Sequence, residues 1–336
     1  MSNSGLITAE GIALSASMKE RPIEVAAIGS LVLEQVVRID RWPHKGGQDV
    51  VPVSKMVMTA GGCAVNVTCF LGRYGAHSAV ISSIGGGRYG EPVQRELEAS
   101  NVDLRFLVKH PESEGSLIII LSNPEGDWAV LDYMDDQLRL QLKDIPSVEE
   151  LAECKILHID GFSFDSAGSE EAIGLALERA KKAGCLISVD GAVPAAARHV
   201  EFLRFLFSQA DIVFANEYEG LRATVADSIE DAINGFQKMG IKAVFLKLGA
   251  RGSLVITPAS VQEIPSFEVA VADTVAAGDA YIATTLLLLL RGRSLVDAAV
   301  RGSAAGALAC LGYGSLSSRF DLDDVENLVE RGSRKS

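Results

Sequence analysis

Asp273-Thr-Val-Ala-Ala-Gly-Asp279, followed at once by the apolar stretch Ala280 to Leu290, is the part of the sequence that organises the rest. Three small residues, Ala276, Ala277 and Gly278, stand where a helix begins, so backbone N–H groups can approach an anion and the helix dipole favours negative charge there. Asp279 closes the run. Beside an anion its carboxylate would repel phosphate unless it had separate work, and accepting a proton from a nucleophilic hydroxyl is such work. The run therefore reads as a phosphoryl-transfer centre. Taken alone, an Asp N-cap on a helix packed through small residues is the stronger reading; the other motifs along the chain shift that balance.

Around this run, strands and helices alternate. Val25 to Ile28 is an apolar run ending at Gly29, as a buried strand entering a loop would be. Ala64 to Tyr74 has helical spacing, His77 to Ile84 reads as a strand and Glu91 to Ser100 as a helix ending near Asn101. The alternation resumes with strand Lys155 to Ile159, helix Ser169 to Lys182, strand Cys185 to Val189, helix Glu201 to Ser208 and strand Ile212 to Phe214. Helices Glu217 to Ala226 and Ser228 to Met239 follow, then strand Ala243 to Leu248. Repeated β-α units with nearly continuous apolar strands predict an α/β fold, a mainly parallel sheet covered by helices on both faces.

Two segments break the pattern. Leu31 to Ile39 with Val50 to Met58, and Leu117 to Leu121 with Trp128 to Met134, alternate apolar and polar residues as half-exposed strands do. The second pair flanks Asn123-Pro-Glu-Gly-Asp127, a turn signal that makes it a hairpin. These strands, from about 31–58 and 116–134, predict a small β-sheet lid whose apolar face packs on the body and on a second subunit, giving a homodimer. Residues 21–336 then form a single domain, with 1–20 as a frayed extension lacking the features of a signal peptide.

The balance of 48% hydrophobic and 22% charged residues over 336 is that of a globular protein with a sizeable core. A net charge of -13 argues against nucleic acid or an anionic membrane as partner, so an anionic ligand has to be held locally. The stretch from Ala280 to Leu290 has only eleven residues, too few to span a bilayer. Five cysteines without a C-x-x-C pair suggest neither a disulfide framework nor a zinc site and point to the cytoplasm.

Gly61-Gly-Cys-Ala-Val-Asn66 opens the first long helix, and its glycines let a ligand touch backbone at a helix N-terminus, with the Asn66 amide facing it; a plain glycine turn fits equally. Asn216-Glu-Tyr-Glu219 lies at the carboxyl edge of the sheet. Asn216 caps a helix there with Glu219 at its third position, and such a carboxylate can also hold Mg²⁺ through water. Lys247-Leu-Gly-Ala-Arg-Gly252 follows a strand; Gly249 and Gly252 let a nucleotide pass over the backbone while Lys247 and Arg251 balance phosphate charge, or the stretch is a simple hairpin. Gly85-Gly-Gly-Arg-Tyr-Gly90 matches a dinucleotide-binding fingerprint with Asp103 downstream, which makes an NAD enzyme a competitor. That match falls in the second β-α unit, carries bulky Arg88 and Tyr89, and leaves the other motifs without a shared purpose.

In this order, Gly61-Gly62 with Asn66, Asn216-x-x-Glu219, Gly249-x-x-Gly252 and Asp273-Thr-x-Ala-Ala-Gly-Asp279 resemble the motifs of the ribokinase-like, or PfkB, carbohydrate kinases, from about Val25 to Leu316. The resemblance implies a three-layer α/β/α body with a β lid and ATP-dependent phosphorylation of a hydroxyl, a primary one, on a small sugar or sugar derivative. It makes Asp279 the catalytic base and gives Ala276, Ala277 and Gly278 the anion hole. Gly61, Gly62, Asn66 and Glu34 become sugar-binding, Asn216, Lys247, Gly249, Gly252 and Ser303 the ATP site, and Glu219 the Mg²⁺ residue, with room for a monovalent cation such as K⁺. Lys247 replaces a frequent Thr, Ala276 a common Gly and Glu34 a usual Asp, which leaves the sugar unnamed. A nucleoside kinase of the same superfamily and a non-catalytic sugar-binding protein of this fold are the alternatives.

Overall fold

The computed structural model describes residues 6–44, 46–123, 125, 128–164 and 169–332. In chain order its strands are β1 (Leu6–Thr8), β2 (Gly11–Ala13), β3 (Ile23–Ile28), β4 (Val32–Ile39), β5 (Val53–Gly61), β6 (Ser78–Gly85), β7 (Leu107–His110), β8 (Leu117–Ser122) and β9 (Trp128–Tyr133). β10 (Cys154–Ile159), β11 (Leu186–Asp190), β12 (Ile212–Asn216), β13 (Ala243–Lys247), β14 (Ser253–Ile256) and β15 (Val261–Ile264) complete them. The runs that are apolar on both faces, β3, β6, β10, β11, β12 and β13, pair in parallel, because helices on either side remove both faces from water. With β7 at one end and antiparallel β14 and β15 at the other they make a nine-stranded sheet ordered β15-β14-β13-β12-β11-β10-β3-β6-β7.

One helical layer contains Cys63–Arg73, Ala277–Leu290 and Leu295–Ala309. Helix Ala277–Leu290 has almost no amphipathic face because it is enclosed on all sides, which explains its uninterrupted leucines. The opposite layer, with Ser169–Ala183, Val200–Gln209 and Ile229–Met239, covers the other face. The α/β/α order expected from the alternating pattern is the one found.

β5-β4-β8-β9 form the separate four-stranded lid. β8 and β9 pair as a hairpin; of its expected turn, residues 124, 126 and 127 lie outside the described residues. Register divides the lid into two faces. Glu34, Val36, Val57 and Ile118 share one, and Met56, Met58, Ile119, Leu131 and Tyr133 share the other. The first face meets the body through Val36 and Thr59, against which Gly314 packs. The second leaves Met56, Met58, Leu131 and Tyr133 exposed.

The expectation of a frayed extension over residues 1–20 does not hold from residue 6 onward. β1 and β2 form a hairpin, Ser15 caps the short helix Ala16–Lys19, and Ile7, Ile12 and Met18 are buried. Leu295 donates its N–H to the Ala9 carbonyl, so the hairpin is docked where the last two long helices meet. Ile7 and Ile12 face each other across the hairpin, which packs on helix Ala277–Leu290, while the short helix with Met18 packs on β10.

Candidate active site

Strand order creates a crevice. After β3 the chain builds β6 and β7 on one side, and after β10 it builds β11 to β13 on the other, so the direction of winding switches between β3 and β10. Such a switch leaves an opening outside the carboxyl ends of the two strands, where α/β proteins bind ligands. Gly29 and Asp160 stand at those ends. A Cβ at Gly29 would lie 2.6 Å from Asp160 Oδ2, so only glycine fits beside this carboxylate. Asp160 is fully buried; Oδ1 accepts the Phe162 N–H at 2.8 Å, Oδ2 has no hydrogen-bond partner, and burial pushes its pKa up to about 8. Sequence reasoning missed Asp160, although an acid immediately after an apolar strand was the signal.

Asp279 reaches the same crevice from the first turn of helix Ala277–Leu290. It is 6% exposed, its Oδ2 accepts the Asn66 Nδ2 at 2.7 Å, and burial outweighs that bond to push its pKa up to about 6. Asn66 is on helix Cys63–Arg73, whose cap is Gly62 at φ +93, with the Ser30 carbonyl where a side chain would go. The Asn66 amide thus holds Asp279 by its nitrogen, while its buried Oδ1 has no hydrogen-bond partner. Glu34, from the lid, accepts the Gly62 N–H at 3.3 Å through Oε1 and the Ser315 hydroxyl through Oε2; burial pushes it to about 7. Glu34, Gly61, Gly62, Asn66 and Asp279 form one cluster, Glu34 lying directly under Gly61.

Ala276 caps helix Ala277–Leu290 in a left-handed conformation, φ +61, which turns the chain sharply before Ala277 and Gly278. The Ala277 N–H makes a 3.3 Å bond to the Thr274 carbonyl. Asp273 fastens this turn from outside, accepting the N–H groups of Val275 and Gly314.

Next to the turn opens a cavity of about 450 Å³, within the range of small-molecule sites. Ala277, Gly278, Asn216, Lys247, Gly249, Gly252 and Ser303 all line it; Phe267, Val269, Val271, Ala307 and Cys310 add apolar surface. Asn216 and Glu219 form a reciprocal capping box, so the structural reading of that motif is realised. Glu219 is buried nonetheless, and burial together with the nearby Asp190 raises its pKa. Lys247 Nζ donates to Asp190 Oδ1 at 2.8 Å. Burial holds Asp190 above the usual range despite this ammonium, whereas the surrounding acids keep Lys247 charged, since one cation serves several carboxylates. Hard oxygen donors in Asp190 and Glu219 suit Mg²⁺, and a cavity with a cationic end and an apolar wall suits a nucleotide.

The strip 312–316 joins cavity and lid. It follows Cys310 of the cavity, Gly314 is held by Asp273, Ser315 by Glu34, and the Lys55 ammonium lies 3.7 Å over the Tyr313 ring.

The model of the pfkB family carbohydrate kinases matches residues 23–320. The chain belongs to the PfkB family of carbohydrate kinases. Ribokinase of Staphylococcus aureus (strain COL) is 25% identical over 91% of this chain and 99% of its own. ATP-dependent ribose-1-phosphate kinase of Halopiger xanaduensis is 27% identical over 88% of this chain and 95% of its own. A putative ribokinase II from E. coli, solved in complex with ATP and Mg²⁺, superposes with a TM-score of 0.80 at 22% identity, over 92% of this chain and 99% of that one.

This PfkB protein is thus a carbohydrate kinase with the ribokinase-like fold. The competing glycine loop, Gly85 to Gly90, has another use in it. A Cβ on Gly85, Gly86 or Gly87 would run into Gly115, Pro111 or Glu114, so the segment 111–115 occupies the space a pyrophosphate would need. Among the described residues, no helix is long and apolar enough to cross a membrane.

Proposed function

We propose that this PfkB kinase transfers the terminal phosphoryl group of ATP to a hydroxyl, a primary one, of a small sugar or sugar derivative. The observation that carries the reading is Asp279, buried, held by Asn66, and placed one residue past Gly278, which lines the 450 Å³ cavity. Asp279 takes the proton of the acceptor hydroxyl as its oxygen bonds to the terminal phosphorus; the bond to the bridging oxygen breaks and ADP leaves. Backbone N–H groups at 276–278 receive the charge on the transferred group. Asn216, Gly249, Gly252 and Ser303 border the nucleotide, and Glu219 with Asp190 would hold Mg²⁺ through water. Bound Mg²⁺ supplies neutralisation of phosphate charge.

Gly61, Gly62 and Glu34 would bound the acceptor, and Asp160 joins them, since its buried, unpartnered oxygen lies just past the carboxyl end of β10, beside the crevice. The lid excludes water that would otherwise accept the phosphoryl group. Its exposed outer face is the proposed surface of a homodimer. The relatives' names, ribokinase and ribose-1-phosphate kinase beside fructokinase, support a sugar or sugar phosphate as acceptor without naming it.

ADP release is to be measured with Mg·ATP over sugars, sugar phosphates, sugar acids, polyols and nucleosides. A sugar giving a phosphorylated product is the expected result. No ATP binding and no ADP release across the panel would end the reading, nucleosides alone would make it a nucleoside kinase, and tight sugar binding without product a binding protein.

A further inference from the structure

Lys247 is the cation to which the structure assigns a second partner. Its ammonium stands 3.4 Å from the point where a Cβ of Gly278 would be, beside the turn that opens the catalytic helix, and it lines the nucleotide cavity. In this structure it is bonded to Asp190 at 2.8 Å, with side-chain exposures of 17% and 7%. The pair is buried at the boundary between the phosphate end of the cavity and the carboxylates Asp160, Glu219 and Asp279. We propose that Lys247 exchanges partners during turnover: it leaves Asp190 for the terminal phosphoryl group of the bound nucleotide and touches that group as it is transferred. The inference rests on the kinase reading and adds to it a catalytic residue.

Charge makes the exchange necessary in both directions. Without nucleotide, the ammonium balances the carboxylates around it, and Asp190 is the acid to which it is bonded. With nucleotide, a terminal phosphoryl group would enter a site whose fixed charges are mostly carboxylates, and a point cation beside Gly278 is what offsets that repulsion. Asp190, left without its ammonium, then needs another cation. Glu219 is next to it, packed against Gly191, so both acids make the same demand on the divalent ion that accompanies a nucleoside triphosphate. Exchange of Lys247 and the metal requirement are thereby coupled through Asp190. A lysine placed only to brace the sheet edge would distinguish neither between nucleotides nor between metal concentrations.

The test is calorimetric binding of a non-hydrolysable ATP analogue and of ADP, each with and without Mg²⁺, to the full chain. Lys247→Met is expected to weaken the analogue by about tenfold to a hundredfold, the range of one charge-assisted hydrogen bond, and ADP by no more than about twofold. Because Lys247→Met strands a buried carboxylate, the charge-free double variant Lys247→Met/Asp190→Asn is measured alongside; it too should lose the preference for the analogue. Asp190→Asn alone should keep that preference and need less Mg²⁺ for it. Equal weakening of both nucleotides, or none, overturns the exchange. If the unaltered protein binds neither nucleotide, the kinase reading itself fails.

Discussion

Asp279 and Asn66 are far apart in sequence, yet a 2.7 Å hydrogen bond joins them in the fold. Asp279→Asn should retain nucleotide binding and lose about two to four orders of magnitude in kcat; unchanged turnover would remove Asp279 as base. The base must be ionised to accept a proton, so kcat/KM should rise with pH up to the region of Asp279's raised pKa, about 6, and then level off. Backbone geometry gives a second pair of expectations. Ala276 at φ +61 bears the strain of a left-handed residue with a side chain, so Ala276→Gly should be neutral or stabilising by up to about 1 kcal/mol. Gly62→Ala combines φ +93 with a clash against the Ser30 carbonyl and should cost more than about 2 kcal/mol in chemical denaturation. The residues that were legible in the sequence are those set by local geometry: small residues before Asp279, paired glycines before Asn66. Asp160 and the Asp190–Lys247 pair were not, because they become neighbours of the site only once β10, β11 and β13 take their places beside β3 and β12.

At the scale of elements, the lid was readable because period-two alternation differs from the continuous apolar runs of the main sheet. Its register explains why it needs two covers. One face, with Glu34, lies on the body; Met56, Met58, Leu131 and Tyr133 on the other remain exposed. Light scattering after size exclusion should find a dimer, and Met58→Lys, which puts a charge on that face while sparing Glu34, should shift the protein to monomer. A monomeric unaltered protein would refute the outer face as an interface. The hairpin of β1 and β2 shows the reverse situation: three-residue strands carry too little pattern to be recognised, and their stability comes from the helix ends on which they dock.

At the scale of the whole molecule, the site concentrates acids that burial holds above their usual range: Glu34 at about 7, Asp160 at about 8 and Asp279 at about 6. In the unfolded chain these groups ionise near pH 4. Between about pH 4 and 8 the folded state therefore binds more protons than the unfolded one, and stability falls as pH rises through that window. The ligand-free protein should melt at a lower temperature at pH 8 than at pH 5.5, and Mg·ATP should recover part of the difference by supplying cations to the site. A melting temperature that climbs over this interval would contradict the burial of these groups as the governing effect.

Two adjacent residues of the strip 312–316 fasten it, Gly314 to Asp273 and Ser315 to Glu34. The Gly314 amide can exchange with solvent only when its bond to Asp273 lets go, so its exchange reports on release of the strip. Deuterium uptake there should slow when acceptor is added without nucleotide, and again when nucleotide is added without acceptor. Uptake that responds to one ligand alone would mean that the two halves of the crevice breathe independently.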